Sequence, residues 1–158
     1  MFITEFTPAM ADQISQLYHQ AIQQISHPRY NQSKKTAWSK APRSKKYWQI
    51  RLRRNKTWVM INEHQQLIGF ISVATDFTHQ GYIEYLYVSP QYQQQGIASA
   101  LLRTLQTWCQ QQSFTQLSVD ASYLSRPIFE KAGFTLCHPS YQRKLGQTLN
   151  GFLLTKPI

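Results

Sequence analysis

The sequence predicts one α/β (α+β) domain covering residues 1–158, and three observations carry that prediction. Strand-like and helix-like stretches alternate in the order β, α, α, three strands, α, β, α, β, β, which mixes early antiparallel hairpins with a later crossover helix. The length of 158 residues is that of a single domain. A composition of 42% hydrophobic and 13% aromatic residues is enough to build a core without disulfides or metals, and argues against a wholly disordered chain. No internal repeat or linker interrupts the pattern, and the only compositional bias is local clusters of glutamine.

Residues 2–6 (FITEF) are β-rich and alternate, as a short first strand does. Thr7-Pro8 then reads as a helix start, with Thr as cap and Pro in the first turn. Ile14, Leu17, Tyr18, Ala21, Ile22 and Ile25 share one helical face, and His27-Pro28 stops the helix. A basic segment follows, with one or two irregular helices expected; Trp48 and Leu52, four apart, anchor the second to the core. Residues 57–62 and 67–74 form a hairpin around the polar stretch Glu63–Gln66. After a polar loop at 75–81, residues 82–88 (YIEYLYV) are a third strand, ended by Ser89-Pro90. Within 96–112, Ala98, Leu101, Leu102, Leu105, Trp108 and Cys109 recur at spacings of three and four, so a helix is predicted. Residues 116–120 are another strand, 125–132 a short helix capped by Gly133, and the tail holds two strands around Gly146 to Gly151.

The net charge of +10 is concentrated. Eleven of the 17 basic residues lie between Arg29 and Lys56, a stretch with no acid, whereas the rest of the chain holds 6 basic and 7 acidic residues. Such a segment suits a phosphate-bearing ligand, an acidic substrate or nucleic acid, or is simply a solvated helical face. No apolar run reaches the ~20 residues of a membrane-spanning helix, and the N-terminus has no secretory pattern. Cys109 and Cys137 are therefore read as reduced thiols of a cytoplasmic protein, Cys109 in the core. The histidines His19, His27, His64, His79 and His138 lack metal-ligand spacing, so no metal is expected.

Chemistry concentrates in 82–99, where a strand runs through a short polar loop into a helix at Gly96. Free N–H groups at a helix start and the helix dipole favour an anion there, and Gly96 and Ala98 leave room for a phosphate to approach. Neither a P-loop nor a dinucleotide fingerprint is present.

The run Val88 to Ala98, with Gln93, Gly96 and Ala98 filling Q/R-x-x-G-x-G/A, resembles motif A of the GNAT superfamily of acyl-CoA N-acyltransferases. The helix SALLRTLQTWC and the later VDASYLSRPIFEKAGF resemble the segments that follow it in that family. The resemblance is best over 57–134, and the basic segment matches in position the family's variable acceptor pocket. It implies a mixed, mostly antiparallel sheet with helices on both faces, splayed between the strands 82–88 and 116–120 to hold acetyl-CoA, the acetyl donor. It implies that Gln93, Gln94, Gln95, Gly96, Ile97, Ala98 and Ser99 hold the pyrophosphate and that Leu86, Tyr87 and Val88 pair with the pantetheine arm. Dimers are common among such proteins, so a homodimer is compatible with it.

The implied reaction is direct acetyl transfer to an amine of a small molecule or peptide. An ammonium must first lose a proton, and Glu84, a carboxylate among apolar and aromatic neighbours on the central strand, is the candidate base; the alternative is a Glu that hydrogen-bonds a neighbour. Relatives often place a Tyr as acid where Phe129 stands and an Asn, touching the cofactor arm, where Ser122 stands; the resemblance thus makes Ser122 and Phe129 candidate cofactor contacts, and Tyr123, Tyr141 or water the candidate acid. Tyr30 and Trp38 are candidate walls of the acceptor pocket, and Trp48 is a core anchor. Asp120 either binds the substrate or caps the turn at Ser122. With so few acids, the acceptor is expected to be neutral or partly anionic rather than a polycation. The competing function is a nucleic-acid-binding or interaction module that uses the aromatic and basic residues of 29–56, although the segment carries no nucleic-acid module motif.

Overall fold

The β-rich runs become strands of one sheet: β1 (Phe2–Glu5), β2 (Asn55–Ile61), β3 (Leu67–Ala74), β4 (Tyr82–Val88), β5 (Gln116–Ala121), β6 (Thr135–Lys144) and β7 (Gln147–Pro157) in a computed structural model that describes residues 1–158. Their spatial order is β1-β2-β3-β4-β5-β7-β6. Every neighbouring pair is antiparallel except β4–β5. That parallel pair requires a crossover, and the crossover is the helix α4 (Ile97–Gln111).

Helices cover both faces. On one, Leu101, Leu102, Leu105 and Cys109 of α4 pack with Ile71, Val73 and Ile83, and Phe129 of α5 (Arg126–Lys131) joins them. On the other, Ile14 and Leu17 of α1 (Ala11–Gln23) and Trp48 and Leu52 of α3 (Lys45–Leu52) pack on Val59, Ile61 and Phe70. With both faces covered, β3 is buried at every position, and its continuous apolar run reflects that. Burying each such leucine or isoleucine contributes about 1.5–3 kcal/mol.

The short helix α2 (Gln32–Trp38) is stitched to the end of α1. Lys35 Nζ donates to the carbonyls of Gln23 and Ile25, both at 3.1 Å, and so places a cation at the negative end of the α1 dipole. Asn31 and Ser44 cap α2 and α3 through their side chains.

The first helix departs from the sequence expectation. A 3-10 turn, Pro8–Met10, precedes α1, Thr7 makes no side-chain cap, and the helix ends before Ile25. The α5 terminus follows it: the N–H of Phe134 reaches the carbonyl of Phe129 and that of Gly133 the carbonyl of Glu130, both at 3.0 Å, which is a Schellman cap. The two phenylalanine rings close it, 5.1 Å apart. In the tail the turn lies at Leu145-Gly146, and Gly151 sits inside β7, where a Cβ would stand 2.7 Å from the Ala121 carbonyl oxygen of β5.

Two irregularities in β4 position everything that follows. First, β4 pairs with β5 only through Tyr82↔Ser118 and Ile83↔Val119. Beyond Ile83 the strands part, which leaves the β5-facing edge of β4 open from Glu84 to Val88. Second, Ser72 pairs with Tyr85 but Val73 with Ile83, so Glu84 is the extra residue of a β-bulge. Ile83 therefore packs with the α4 face, while Glu84, Tyr85 and Tyr87 turn toward the side of α1 and α3.

Candidate active site

At one end of the open β4 edge lies an amide cradle. Pro90–Tyr92 forms a 3-10 turn, Gly96 takes φ +80°, and α4 begins at Ile97. The backbone N–H groups from Gln93 through Ser99 donate to no group in the chain, and a Cβ added to Gly96 would meet no atom within 4 Å. A row of free amides at the positive end of a four-turn helix, with open space before it, fits a phosphate-bearing ligand. Asn62 braces the approach from outside. Its buried side chain accepts from the N–H groups of His64 and Gln66, both at 2.9 Å, and donates to the Tyr92 hydroxyl at 3.0 Å. Gln93 points back, donating to the Val88 carbonyl at 3.3 Å.

At the other end, the bulge turns Glu84 into a cavity of about 1300 Å3 beside the parting strands. One carboxylate oxygen accepts from Asn55 Nδ2 at 3.2 Å. The other lies 2.8 Å from Arg51 Nη2, a charge–charge contact without hydrogen-bond alignment. The same arginine donates to the Tyr85 hydroxyl at 2.9 Å. Asn55 also reaches the Ser72 hydroxyl, which meets Thr57 at 2.8 Å in the buried sheet. The network holds the carboxylate in one place. Because Arg51 is half exposed, its ion pair adds only about 0–1 kcal/mol to stability.

Tyrosines surround the carboxylate. Burial pushes the phenols of Tyr82, Tyr85 and Tyr87 well above their ordinary range, and for Tyr82 the hydrogen bond to Asp120, at 2.7 Å, adds to it. Tyr18, also raised by burial, packs edge-on against Tyr85 and Tyr87. All four remain neutral phenols near pH 7.

A model of the acetyltransferase (GNAT) domain matches residues 20–147. The chain belongs to the GNAT acetyltransferases. It is 32% identical over 132 residues to the uncharacterised N-acetyltransferase YafP of Escherichia coli strain K12, covering 84% of this chain and 79% of that protein. Among solved structures, the GCN5-related N-acetyltransferase of Rhodopseudomonas palustris superposes with a TM-score of 0.89 at 22% identity, over 99% of this chain and 95% of that one. The phosphinothricin acetyltransferase of Sinorhizobium meliloti, solved with AcCoA, gives 0.78 at 19% identity, over 99% and 88%. The GNAT fold is thus shared over the whole chain, and the splayed mixed sheet with helices on both faces is the one the sequence resemblance implies.

Within this GNAT domain the residues singled out from sequence fall into three groups. Tyr30, Trp38, Glu84, Tyr87, Asp120, Ser122 and Tyr141 line the one cavity. Gln93 to Ser99 form the separate cradle, and none of them lines that cavity. Leu86 and Val88 pack against the α4 core, which leaves their backbone at the open edge.

Several placements differ from expectation. Phe129 is 1% exposed in the core, where it presents no surface to a ligand. Tyr123 stands outside the cavity; Arg29 stacks 4.4 Å from its ring centroid, Phe152 packs edge-on at 5.1 Å, and its N–H donates to the Tyr30 hydroxyl at 3.0 Å. Asp120 does not cap the Ser122 turn: Ser122 and Ser125 close that turn themselves, and Asp120 accepts from Tyr82. Glu84 is not flanked by apolar groups alone, since Arg51 and Asn55 reach it. Sequence reading missed Arg51, Asn55, Ser72 and Tyr82. Arg51 alone carried a signal: burying Trp48 fixes the rotation of α3, and the residue three further on then faces β4.

Four of the eleven basic residues of the segment are absorbed by the fold. Lys35 caps α1, Arg51 meets Glu84, Lys56 pairs with Glu5 at 2.6 Å, and Arg29 covers Tyr123. Tyr30 and Trp48 are buried, so these rings are not free to stack on nucleobases.

Proposed function

We propose that the protein transfers the acetyl group of acetyl-CoA to a primary amine of a small molecule or peptide, with Glu84 as general base. The observation that carries this reading is the occupancy of one strand's ends: free amides at the end of β4 and a bulged carboxylate four residues back, joined by an open strand edge. Four residues of strand span about 13 Å, so a ligand anchored by phosphates in the cradle reaches Glu84 by lying along β4. Gln93 to Ser99 would hold the pyrophosphate of acetyl-CoA, and Leu86, Tyr87 and Val88 would offer backbone groups to its extended arm. Acetyl-CoA supplies an activated thioester.

Glu84 takes a proton from the bound ammonium and passes it to solvent. The freed nitrogen lone pair attacks the thioester carbonyl, the C–S bond breaks, and the departing thiolate takes up the second proton that nitrogen sheds. Arg51 and Asn55 are positioning residues: they act through the Glu84 carboxylate, which they fix toward the cavity. Tyr30, Trp38 and Asp120 belong to the acceptor wall. Tyr123 is given no proton to transfer, because its ring is held outside the cavity.

The test is Glu84→Gln, which keeps the shape of the side chain. Acetyl-CoA-dependent thiol release should fall about 100-fold or more. The rise in melting temperature with acetyl-CoA should persist. A variant that keeps within about three-fold of the wild-type rate refutes Glu84 as base. A wild type that acetyl-CoA does not stabilise refutes the donor.

A further inference from the structure

We infer that the acceptor amine carries an anionic group, a carboxylate or a phosphate, seated on Arg43 and Lys144 at the rim of the cavity that holds Glu84. This rests on the amine-acetylation reading above and names the class of its substrate.

The cavity is lined by Lys40, Arg43, Arg51, Arg54 and Lys144, against Asp76, Glu84 and Asp120. Each of the three acids already has a partner: Glu84 meets Arg51 at 2.8 Å, Asp76 meets His79 at 3.1 Å, and Asp120 accepts from Tyr82 at 2.7 Å. Of the five cations, only Arg51 has an acidic partner. Five cations against three carboxylates leave the cavity with an excess of positive charge, and neither Arg43 nor Lys144 is in an ion pair.

The unpaired cations are also brought together from distant parts of the chain. Arg43 lies in the connection between α2 and α3, and Lys144 ends β6, the last hairpin to form part of the wall. Arg43 is held by its neighbours: its guanidinium lies 4.9 Å from the Tyr47 ring centroid, and its carbonyl accepts from the Ser15 hydroxyl. Lys144 feels the others. Burial first, then the nearby Arg43 and Arg51, lowers its ammonium below the ordinary lysine value. Like charges around one partly enclosed space attract an anion, and guanidinium and ammonium groups that share it suit a carboxylate or phosphate.

The phosphates of the donor do not meet this need. Their expected cradle, Gln93 to Ser99, contributes no residue to the cavity. In the proposed reaction Glu84, held from behind by Arg51 and Asn55, is the carboxylate that meets the ammonium of the same acceptor. The cavity thus presents a carboxylate for one end of a zwitterion and cations for the other, and disfavours polyamines, which lack an anion.

The experiment measures acetyl-CoA-dependent thiol release with matched acceptors. The proteinogenic α-amino acids are each paired with their amides, and O-phosphoethanolamine is paired with ethanolamine. In wild type the anionic member of a pair should be preferred about 10-fold or more in kcat/KM. Preference among amino acids identifies a carboxylate, and preference for O-phosphoethanolamine identifies a phosphate. Arg43→Gln and Lys144→Gln should each raise KM for that anionic acceptor by about 10-fold, leave kcat and the amide's KM within about two-fold, and keep stabilisation by acetyl-CoA. Lys144→Arg should restore the lower KM. Equal use of both members of every pair, or equal losses on both in the variants, overturns this inference and leaves the acetyltransferase reading standing. Absence of turnover with every amine overturns both.

Discussion

Gly81 is the residue on which the β4–β5 junction turns. It has φ +89°, accepts from the Ser118 N–H at 2.9 Å and donates to the Ala74 carbonyl at 3.1 Å. A Cβ at this position would stand 2.2 Å from the Gln116 carbonyl oxygen, more than 1 Å inside an ordinary contact of about 3.5 Å. Gly81→Ala therefore adds three effects. The left-handed backbone costs about 1–2 kcal/mol for a residue with a Cβ. Moving β4 from β5 sacrifices the Ser118 hydrogen bond, about 1 kcal/mol. The displacement also disturbs the core that Ile83 shares with Leu117 and Val119, for about 1 kcal/mol more. The sum, about 3–4 kcal/mol, corresponds to a fall of roughly 10 °C in melting temperature for a chain of this size. Gly96→Ala is the control. It has a similar φ of +80° but nothing within 4 Å, so only the first effect applies and the expected fall is about 4 °C. Calorimetry and urea midpoints measure both. If Gly81→Ala destabilises no more than Gly96→Ala, the argument from the close carbonyl is wrong. The ligand response should reverse the order, since a methyl at Gly96 intrudes on the amide cradle and should weaken stabilisation by acetyl-CoA more than Gly81→Ala does.

Asn62→Ala should cost about 1–2 kcal/mol, because it removes the buried side chain that takes the N–H groups of His64 and Gln66 and holds the Tyr92 hydroxyl; a drop under about 2 °C in melting temperature would contradict this. Alkaline pH should destabilise the protein. Tyr18, Tyr82, Tyr85 and Tyr87 have phenols raised mainly by burial, so their contribution is complete below about pH 10, where unfolded tyrosines are still protonated. It is lost as pH rises toward the folded values, because unfolding then releases protons. Urea midpoints should hold between about pH 7 and 9 and fall steeply above about 10, less steeply in Tyr82→Phe; a flat profile to about pH 11.5 would contradict the sign.

Much of this arrangement was legible in the residues, and the remainder was hidden for physical reasons. The α4 face could be read because its apolar spacing answers to one sheet, and Gly96 and Gly133 mark the helix boundaries they occupy in the structure. The phosphate-sized cradle was legible because it is local: a strand, a loop and a helix start in one short run. Arg51 and Glu84 are far apart in sequence, and their contact depends on how Trp48 seats α3 on the sheet. Asn55, just ahead of the strand expected at 57–62, and Ser72, a lone polar residue in an apolar run, carried no signal of the network they form beneath Glu84. Tyr123 misled because proximity in sequence to Asp120 and Ser122 does not fix where its ring goes; Arg29 and Phe152 decide that. Gly151 looked like a turn residue, yet close approach to β5 accounts for it.

The bulge at Glu84 makes side-chain placement in β4 a question of parity. A strand assigns faces by odd and even, and one extra residue swaps the assignment for everything on one side of it. Substituting Glu84 changes the chemistry of a position whose neighbours stay where they are. Deleting it would leave Ile83 next to Tyr85 in regular alternation, each still opposite its β3 partner, Val73 and Ser72, so the other residues would keep their faces and only the carboxylate would be lost from the cavity. The bulge therefore adds one cavity residue to the strand without displacing any other from its face. An alignment that closes the gap at this point would match Glu84 of one chain to a core residue of another.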